Sequence, residues 1–174
     1  MNRAAAFAAV LGLAGPSLAT AAVAPPKLGI ASFAELKTPL PYPYDEALGA
    51  KASDAAVARA KARALKTRKL LLIDLGGNWC GDCRVLAGTL QRPELRAFVD
   101  RHYEIVMVDV GRFDKNLQVP ARYGLTKRLE GVPALLIVDP RSDRLLDPGH
   151  EAALADARHM TPQALADWLA QWVR

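Results

Sequence analysis

Residues 70–83 of the chain read LLLIDLGGNWCGDC. The apolar run over residues 70–75 ends at two glycines, a pattern typical of a buried central strand. Apolar residues then recur at helical spacing over residues 80–90, which predicts a helix. The two cysteines of the chain, Cys80 and Cys83, therefore lie where a buried strand passes into the first turn of a helix.

Helical and strand patterns alternate on both sides of this stretch. The further predicted helices cover residues 54–67, residues 120–128 and a C-terminal segment that begins at Thr161. Residues 52–54 offer a cap for the first of them. The further predicted strands cover residues 103–110, 134–138 and 144–146. Pro93 kinks the helix after the cysteines or restarts it. The order α-β-α-β-α-β-β-α predicts an α/β fold with a central mixed β-sheet flanked by helices.

The composition fits one folded domain. The chain has 174 residues, of which 51% are hydrophobic and 24% are charged, as in globular proteins. The net charge is +5, and basic residues cluster between Lys61 and Lys69 at the end of a predicted helix. Cations there complement the negative end of the helix dipole. Because no aromatic residues lie between them, we expect no nucleic-acid partner.

The N-terminal residues predict export. Residues 1–21 combine Arg3, a short apolar run and small residues, which is the outline of a signal peptide. We expect cleavage after Ala21, with retention as a membrane anchor as the alternative. Residues 22–43 are rich in proline and are expected to form an arm, either a linker or a surface strap. The folded domain would then cover residues 44–174, in a bacterial periplasm.

The spacing of the cysteines favours redox chemistry. Free backbone N–H groups and the positive end of the helix dipole would favour a thiolate at Cys80. Cys83, one turn later, lies on the same side of the helix and can close a disulfide with Cys80. Such a dithiol opens and closes without moving the scaffold.

Three other roles for the cysteine pair are less favoured. Zinc requires four ligands, and neither a second cysteine pair nor paired histidines accompany the motif. A structural disulfide that closes so short a loop removes little entropy from the unfolded chain. Haem attachment is excluded because Arg84 stands where a histidine would be required. The histidines are scattered and expected at solvated positions: His102, His150 and His159. We therefore expect no metal and no cofactor.

The stretch quoted above resembles the thioredoxin family. Asp74 falls six residues before Cys80, where thioredoxins keep a buried carboxylate beneath the cysteine pair. Residues 122–125 (RYGL) followed by residues 131–135 (GVPAL) are similar to the second motif of the family, in which the proline is cis. Together these features cover about residues 70–140. The resemblance implies a thioredoxin fold and disulfide exchange with protein thiols and disulfides.

The resemblance also assigns catalytic roles. Exchange needs a thiolate that attacks a sulfur and a second thiol that resolves the mixed disulfide. Cys80 is the predicted attacker and Cys83 the predicted resolver. A carboxylate whose pKa is raised by an apolar strand could deprotonate the buried Cys83, and Asp74 is the candidate. The alternative is that Asp74 is an ordinary strand-end aspartate bonded to the backbone.

Three more residues are expected to hold the substrate. A cis bond between Val132 and Pro133 would present the Val132 backbone beside Cys80, so that an extended substrate could pair with it as an added strand. Alternatively, Pro133 only begins a strand. Trp79 would shield one side of the disulfide, or would only pack beside the start of the helix.

The sequence departs from the family at Asp82, where thioredoxins usually carry proline. A negative charge there disfavours the Cys80 thiolate, and a pair with a comparatively stable disulfide acts as a reductant. We therefore predict a protein-disulfide reductant that receives electrons from a membrane reductase. The alternatives are an oxidase or isomerase, or a non-catalytic binding or chaperone module. Substrate choice is expected to involve the loop 111–119 and the stretch 126–130, unless these vary without function.

Overall fold

The computed structural model describes residues 23–174. The signal peptide predicted for residues 1–21 therefore lies outside the described residues. Each helix in the described part of the chain is too short or too polar to cross a membrane.

Helices and strands alternate along residues 23–174 in nearly the predicted order. The helices are α1 (Ala50–Thr67), α2 (Gly81–Leu90), α3 (Pro93–His102), α4 (Gln118–Arg122) and α5 (Pro162–Ala170), and the strands are β1 (Leu70–Gly76), β2 (Tyr103–Asp109), β3 (Ala134–Asp139) and β4 (Arg144–Leu145). Two short 3₁₀ helices cover Phe33–Glu35 and Ala157–His159. Pro93 restarts the chain as a separate helix, and the four strands agree with the predicted ranges to within one residue at each end.

The strands form one mixed sheet in the order β2-β1-β3-β4. β1 pairs parallel with β2 and antiparallel with β3, and β3 pairs antiparallel with β4. The predicted α/β fold with a central mixed sheet is therefore confirmed. Because β1 has a neighbouring strand on each side, the turn that follows its carboxyl end leaves the sheet from a central strand and not from an edge strand.

The two faces of β1 belong to two cores. Leu71, Ile73 and Leu75 lie in a core that includes residues of α1 and α4, whereas Leu72 lies in a core built with α2, α3 and α5. Alternate side chains of a strand point to opposite faces. An unbroken apolar run is therefore what a strand covered on both faces requires. Asp74 is the polar exception within this run, and it is 1% exposed.

The predicted start of α1 is wrong. The helix begins at Ala50 rather than at residue 54, and Gly49 is its N-cap. Ser53, which the sequence offered as part of a cap, lies inside the helix and is buried. The alanine-rich sequence before Ser53 has a high helix propensity, so the helix begins before this capping signal.

The helix predicted over residues 120–128 is also wrong in its bounds. α4 begins at Gln118 and ends at Arg122, where Tyr123 leaves helical geometry. Gly124 then adopts a φ of +91°, a conformation that glycine reaches without a side-chain clash. The chain beyond it is therefore a loop until β3.

The proline-rich arm packs against α2 over residues 30–41. Leu36 lies in one buried cluster with Val85 of α2 and is 5% exposed. The Arg84 guanidinium donates hydrogen bonds to arm carbonyl groups, including that of Leu40 at 2.8 Å. Apolar burial and hydrogen bonds therefore fix the arm against the helix that carries the cysteines.

We expect Leu36→Ala to destabilise the whole domain by about 2 kcal/mol or more, because a buried leucine is replaced by a cavity. Urea unfolding followed by tryptophan fluorescence measures this change. Leu65→Ala on α1 is the matched control, since Leu65 is 44% exposed and should lose much less. Equal small losses in both variants would mean that the arm is not part of the cooperative unit.

Candidate active site

Cys80 and Cys83 form a disulfide at the N-terminus of α2. Cys80 is the N-cap residue, and its Sγ accepts a hydrogen bond of 3.1 Å from the backbone N–H of Cys83. Cys80 is 5% exposed, whereas Cys83 has no exposed surface. The two sulfurs are therefore unequal: the Cys80 sulfur lies toward the surface, and the Cys83 sulfur is enclosed by the fold.

The loop before β3 lies against the outer sulfur. The Val132–Pro133 peptide bond is cis, and the Val132 carbonyl oxygen lies 3.3 Å from the Sγ of Cys80. Both residues are buried at the start of β3. The structure thus brings the Val132 backbone and the Cys80 sulfur together, as a cis bond at Pro133 predicts.

Trp79 lies beside the disulfide with its ring held on three sides. Its Nε1 donates a hydrogen bond of 2.8 Å to the carbonyl of Gly111. The ring of Phe113 meets it edge to face at 6.1 Å, and the guanidinium of Arg112 lies 4.4 Å from its ring centroid. Although fixed in this way, Trp79 remains 42% exposed. It is thus an apolar surface beside Cys80 rather than a buried packing residue.

The two segments singled out for substrate choice meet next to Trp79. The guanidinium of Arg128 lies 4.2 Å from the ring centroid of Phe113, which belongs to the loop 111–119. Arg128 belongs to the stretch 126–130. These segments therefore form one wall of the surface around the disulfide.

Asp74 lies in the middle of β1 and forms a buried hydrogen bond with Tyr44, the residue that follows the arm. The Tyr44 hydroxyl donates to its Oδ1 at 2.8 Å, and among the described residues its Oδ2 has no hydrogen-bond partner. Burial raises the pKa of Asp74 to about 7, although the bond from Tyr44 acts in the opposite direction. Asp74 is thus bonded to a side chain and not, as the alternative prediction had it, to the backbone.

Sequence reasoning missed Tyr44 as a site residue. In the sequence Tyr44 stands only at the boundary between the arm and the domain. An aromatic residue between a proline and an aspartate carries no signal that it will enter the core, and its partner lies 30 positions further along the chain. Only the folded arrangement brings the two together.

Asp82 has a partner that the sequence did not predict. Its Oδ1 accepts hydrogen bonds from the Arg158 backbone N–H at 2.9 Å and from the Arg158 Nε at 3.0 Å. The Arg158 guanidinium also lies beside Gly81, between the two cysteines. The negative charge expected next to Cys80 is therefore paired with a cation from the segment before α5.

The histidines occupy separate places. His102 stacks on Phe98, His150 lies against Trp172, and His159 bonds to Asp156. Within residues 23–174, no group of three or more histidine, cysteine or acidic side chains is arranged to hold a metal ion.

Known proteins share this architecture. A family model described as Thioredoxin-like matches residues 52–140. A thioredoxin from Acidithiobacillus ferridurans is 30% identical over 73 residues, which are 42% of this chain and 59% of the length of that thioredoxin. The crystal structure of a disulphide isomerase from Xylella fastidiosa Temecula1 is similar with a TM-score of 0.67 and 35% identity, over 75% of this chain and 96% of that one.

The family match covers β1, the cysteine pair, β2 and β3, which is the region that carried the resemblance in the sequence. The solved relative extends the similarity to three quarters of the chain. The predicted family is therefore confirmed. By its sheet, its cysteine pair and these two matches, the chain belongs to the thioredoxin-like family.

Proposed function

We propose that this thioredoxin-like thiol–disulfide oxidoreductase reduces disulfide bonds of exported proteins in a bacterial periplasm. The observation that carries the proposal is the inequality of the two sulfurs, with Cys80 toward the surface at the N-terminus of α2 and Cys83 fully enclosed. This inequality supports Cys80 as the sulfur that meets the substrate and Cys83 as the sulfur that resolves the mixed disulfide. The location is supported by the signal peptide predicted for residues 1–21.

The reaction proceeds in two exchanges. The Cys80 thiolate attacks one sulfur of the substrate disulfide, and the other substrate sulfur leaves as a thiolate and takes up a proton. The Cys83 thiolate then attacks the Cys80 sulfur of the mixed disulfide, which releases the second substrate thiol. The substrate is reduced and the Cys80–Cys83 pair is oxidised. The Cys83 N–H that points at the Cys80 sulfur stabilises negative charge on the attacking atom.

The second exchange requires Cys83 to lose its proton inside the fold. Asp74 is the proposed base, because a carboxylate that burial has made more basic can hold a proton near neutral pH. Water reaches the enclosed Cys83 sulfur poorly, so an internal acceptor replaces it. The proton is carried into solvent once the mixed disulfide has been resolved.

The surface around Cys80 supports an extended polypeptide as substrate. The buried Val132 and Pro133 place the chain before β3 next to the Cys80 sulfur, where a substrate segment can align with it as an added strand. Trp79, the residue before Cys80, adds an exposed aromatic ring to this surface. The oxidised pair must then be reduced again, and a membrane reductase is the proposed electron donor.

The reducing direction is supported by the charges around Cys80. The Val132 carbonyl oxygen and the Asp82 carboxylate both work against the stabilisation that the Cys83 N–H gives to a Cys80 thiolate. The Arg158 guanidinium offsets Asp82 only in part because its side chain is 59% exposed to water. A thiolate that is weakly stabilised makes the disulfide comparatively stable. The reduced pair then gives up its electrons readily.

Disulfide isomerisation is the second candidate. The relative from Xylella fastidiosa bears the name disulphide isomerase and matches three quarters of this chain. An isomerase would re-form correct disulfides in a scrambled protein, whereas a reductant would leave that protein as a dithiol. The two activities can therefore be separated with one scrambled substrate.

We expect the equilibrium potential of the Cys80–Cys83 pair to lie near about −270 mV, as in reducing thioredoxins, rather than near about −120 mV, as in a strong oxidase. Titration of the purified protein against dithiothreitol and glutathione buffers measures it. The weak stabilisation of the Cys80 thiolate is the physical reason. A potential near the oxidase value would contradict the proposed direction.

Variants with one cysteine replaced test which sulfur attacks the substrate and which resolves the mixed disulfide. Cys83→Ser should accumulate a mixed disulfide with a protein substrate, because attack proceeds without resolution. Cys80→Ser should trap none. Trapping by Cys80→Ser alone would reverse the assignment.

We expect Arg158→Gln to shift the potential by roughly 10–20 mV toward more negative values, since Asp82 loses its countercharge and an exposed ion pair contributes at most about 1 kcal/mol. The glutamine keeps the backbone N–H that donates to Asp82. Asp82→Asn should shift the potential in the opposite direction.

The double variant supplies the control for this pair. If Arg158 acts through Asp82, Arg158→Gln should have little further effect in the Asp82→Asn background. An equal shift in both backgrounds would show that Arg158 acts on Cys80 independently of Asp82.

A further inference from the structure

We propose that Tyr44, the residue that follows the arm, is a positioning residue whose hydroxyl holds Asp74 as a carboxylate and leaves its Oδ2 to take the proton of Cys83. The proposal rests on the reductant chemistry above and adds a further residue to it. The family match begins at residue 52, so Tyr44 lies before the matched region.

The geometry assigns different tasks to the two oxygens of Asp74. Oδ1 is occupied by the hydrogen bond of 2.8 Å from Tyr44, and Tyr44 is itself 3% exposed. Oδ2 is buried and has no partner among the described residues. One oxygen is thus fixed by a donor and the other is free to accept, which is the arrangement that a base needs.

Tyr44 is held in place by the turn that carries the cysteines. The Asn78 Oδ1 accepts the backbone N–H of Tyr44 at 3.1 Å, and the Asn78 Nδ2 donates to the Tyr44 carbonyl at 2.8 Å. Asn78 lies two residues before Cys80. The position of the hydroxyl is therefore tied to the position of the disulfide.

Tyr44 and Cys83 meet in the space in front of a glycine of β1. A Cβ atom placed on Gly76 would run into the Tyr44 hydroxyl and would lie 2.9 Å from the Sγ of Cys83. Gly76 follows Asp74 by two residues and lies on the same face of the strand. The absence of a side chain there leaves room for the Cys83 sulfur and for the phenol that is bonded to Asp74.

The charges around Asp74 make Tyr44 a donor and not a second base. Burial raises the pKa of Tyr44, and the charges of Asp74 and Asp109 act in the same direction, so the phenol keeps its proton. Asp109 is paired with Lys115 at 2.8 Å. The strand neighbours of Asp74 are the apolar Met107 and Leu135.

A hydrogen bond to the charged form of a carboxyl group favours that form. Without the Tyr44 hydroxyl, burial alone would act on Asp74, and its pKa would rise further. The fraction of Asp74 able to accept the Cys83 proton at neutral pH would then fall. The resolution step should therefore be the step that depends on Tyr44.

The test is the pH profile of resolution in Tyr44→Phe, which removes the hydroxyl and keeps the ring. The rate at which the reduced protein reduces insulin disulfides is measured by stopped flow between about pH 5.5 and 9. The part of the profile in which this rate rises with pH, its rising limb, should lie about one pH unit higher in Tyr44→Phe than in the unmodified protein. At pH values below the rising limb the variant should be about tenfold slower, and the two rates should converge at the alkaline end.

Tyr103→Phe is the matched control. Tyr103 is equally buried, but its hydroxyl donates to the Leu169 carbonyl at 2.6 Å, away from the cysteines. This variant should lose stability and keep the original pH profile. Identical profiles for the two variants would overturn the proposal. In an Asp74→Asn background, Tyr44→Phe should no longer move the profile, and a shift of the same size there would also overturn it.

Two further measurements keep the outcome clear. Replacing tyrosine with 3-fluorotyrosine, whose hydroxyl is a stronger donor, leaves the packing intact. It should move the rising limb of the rate profile toward lower pH. An unchanged profile would contradict the proposal even if Tyr44→Phe failed to fold. Titration of the Asp74 carboxyl carbon by NMR reports on Tyr44 directly. If the unmodified protein reduced no disulfide, the reductant function would fail, yet this titration would still decide whether Tyr44 holds the carboxylate.

Discussion

The burial of the Asp74 carboxyl group in the middle of β1 is the constraint on which the surrounding structure depends. Removing such a group from water costs several kcal/mol unless a hydrogen bond or a countercharge compensates. A buried cation would keep the carboxylate ionised at all working pH values, whereas a neutral phenol lowers the cost and leaves the group able to take up a proton. Tyr44 provides that donor. The arm must therefore be ordered, which is what its packing along α2 achieves.

The same constraint shapes the turn between β1 and α2. Gly76 has to be a glycine because the Tyr44 hydroxyl and the Cys83 sulfur fill the space of a side chain. Asn78 holds the backbone of Tyr44 through two hydrogen bonds. The geometry of the cysteine pair is thus set from both sides, by the N-terminus of α2 and by a residue that precedes the family's matched region.

Sequence reasoning succeeded where a single segment carries its own signal. The apolar runs predicted β1, β2 and β3 because a strand buried on both faces has no polar positions to spare, and the motif at Cys80 and Cys83 predicted the redox pair. It failed where the backbone of one glycine or a contact with a distant segment decides the structure. The end of α4 depends on the backbone of Gly124, and the partners of Asp74 and Asp82 lie 30 and 76 positions away. Neither Tyr44 nor Arg158 has a local pattern that marks it.

The stiffness of the surface around Cys80 has a consequence for the kind of substrate that fits it. The loop after β2 is held by the Val110 carbonyl, which accepts three backbone N–H groups, and by the Asn116 side chain, which donates to the Asp109 carbonyl at 2.7 Å. Arginine side chains lie over the rings of Phe113 in this loop and of the neighbouring Trp79. A surface that is already ordered pays little conformational entropy on binding. Under the proposed function the adaptation then comes from the substrate, and a flexible segment that can extend alongside Val132 fits this surface better than a compact native disulfide.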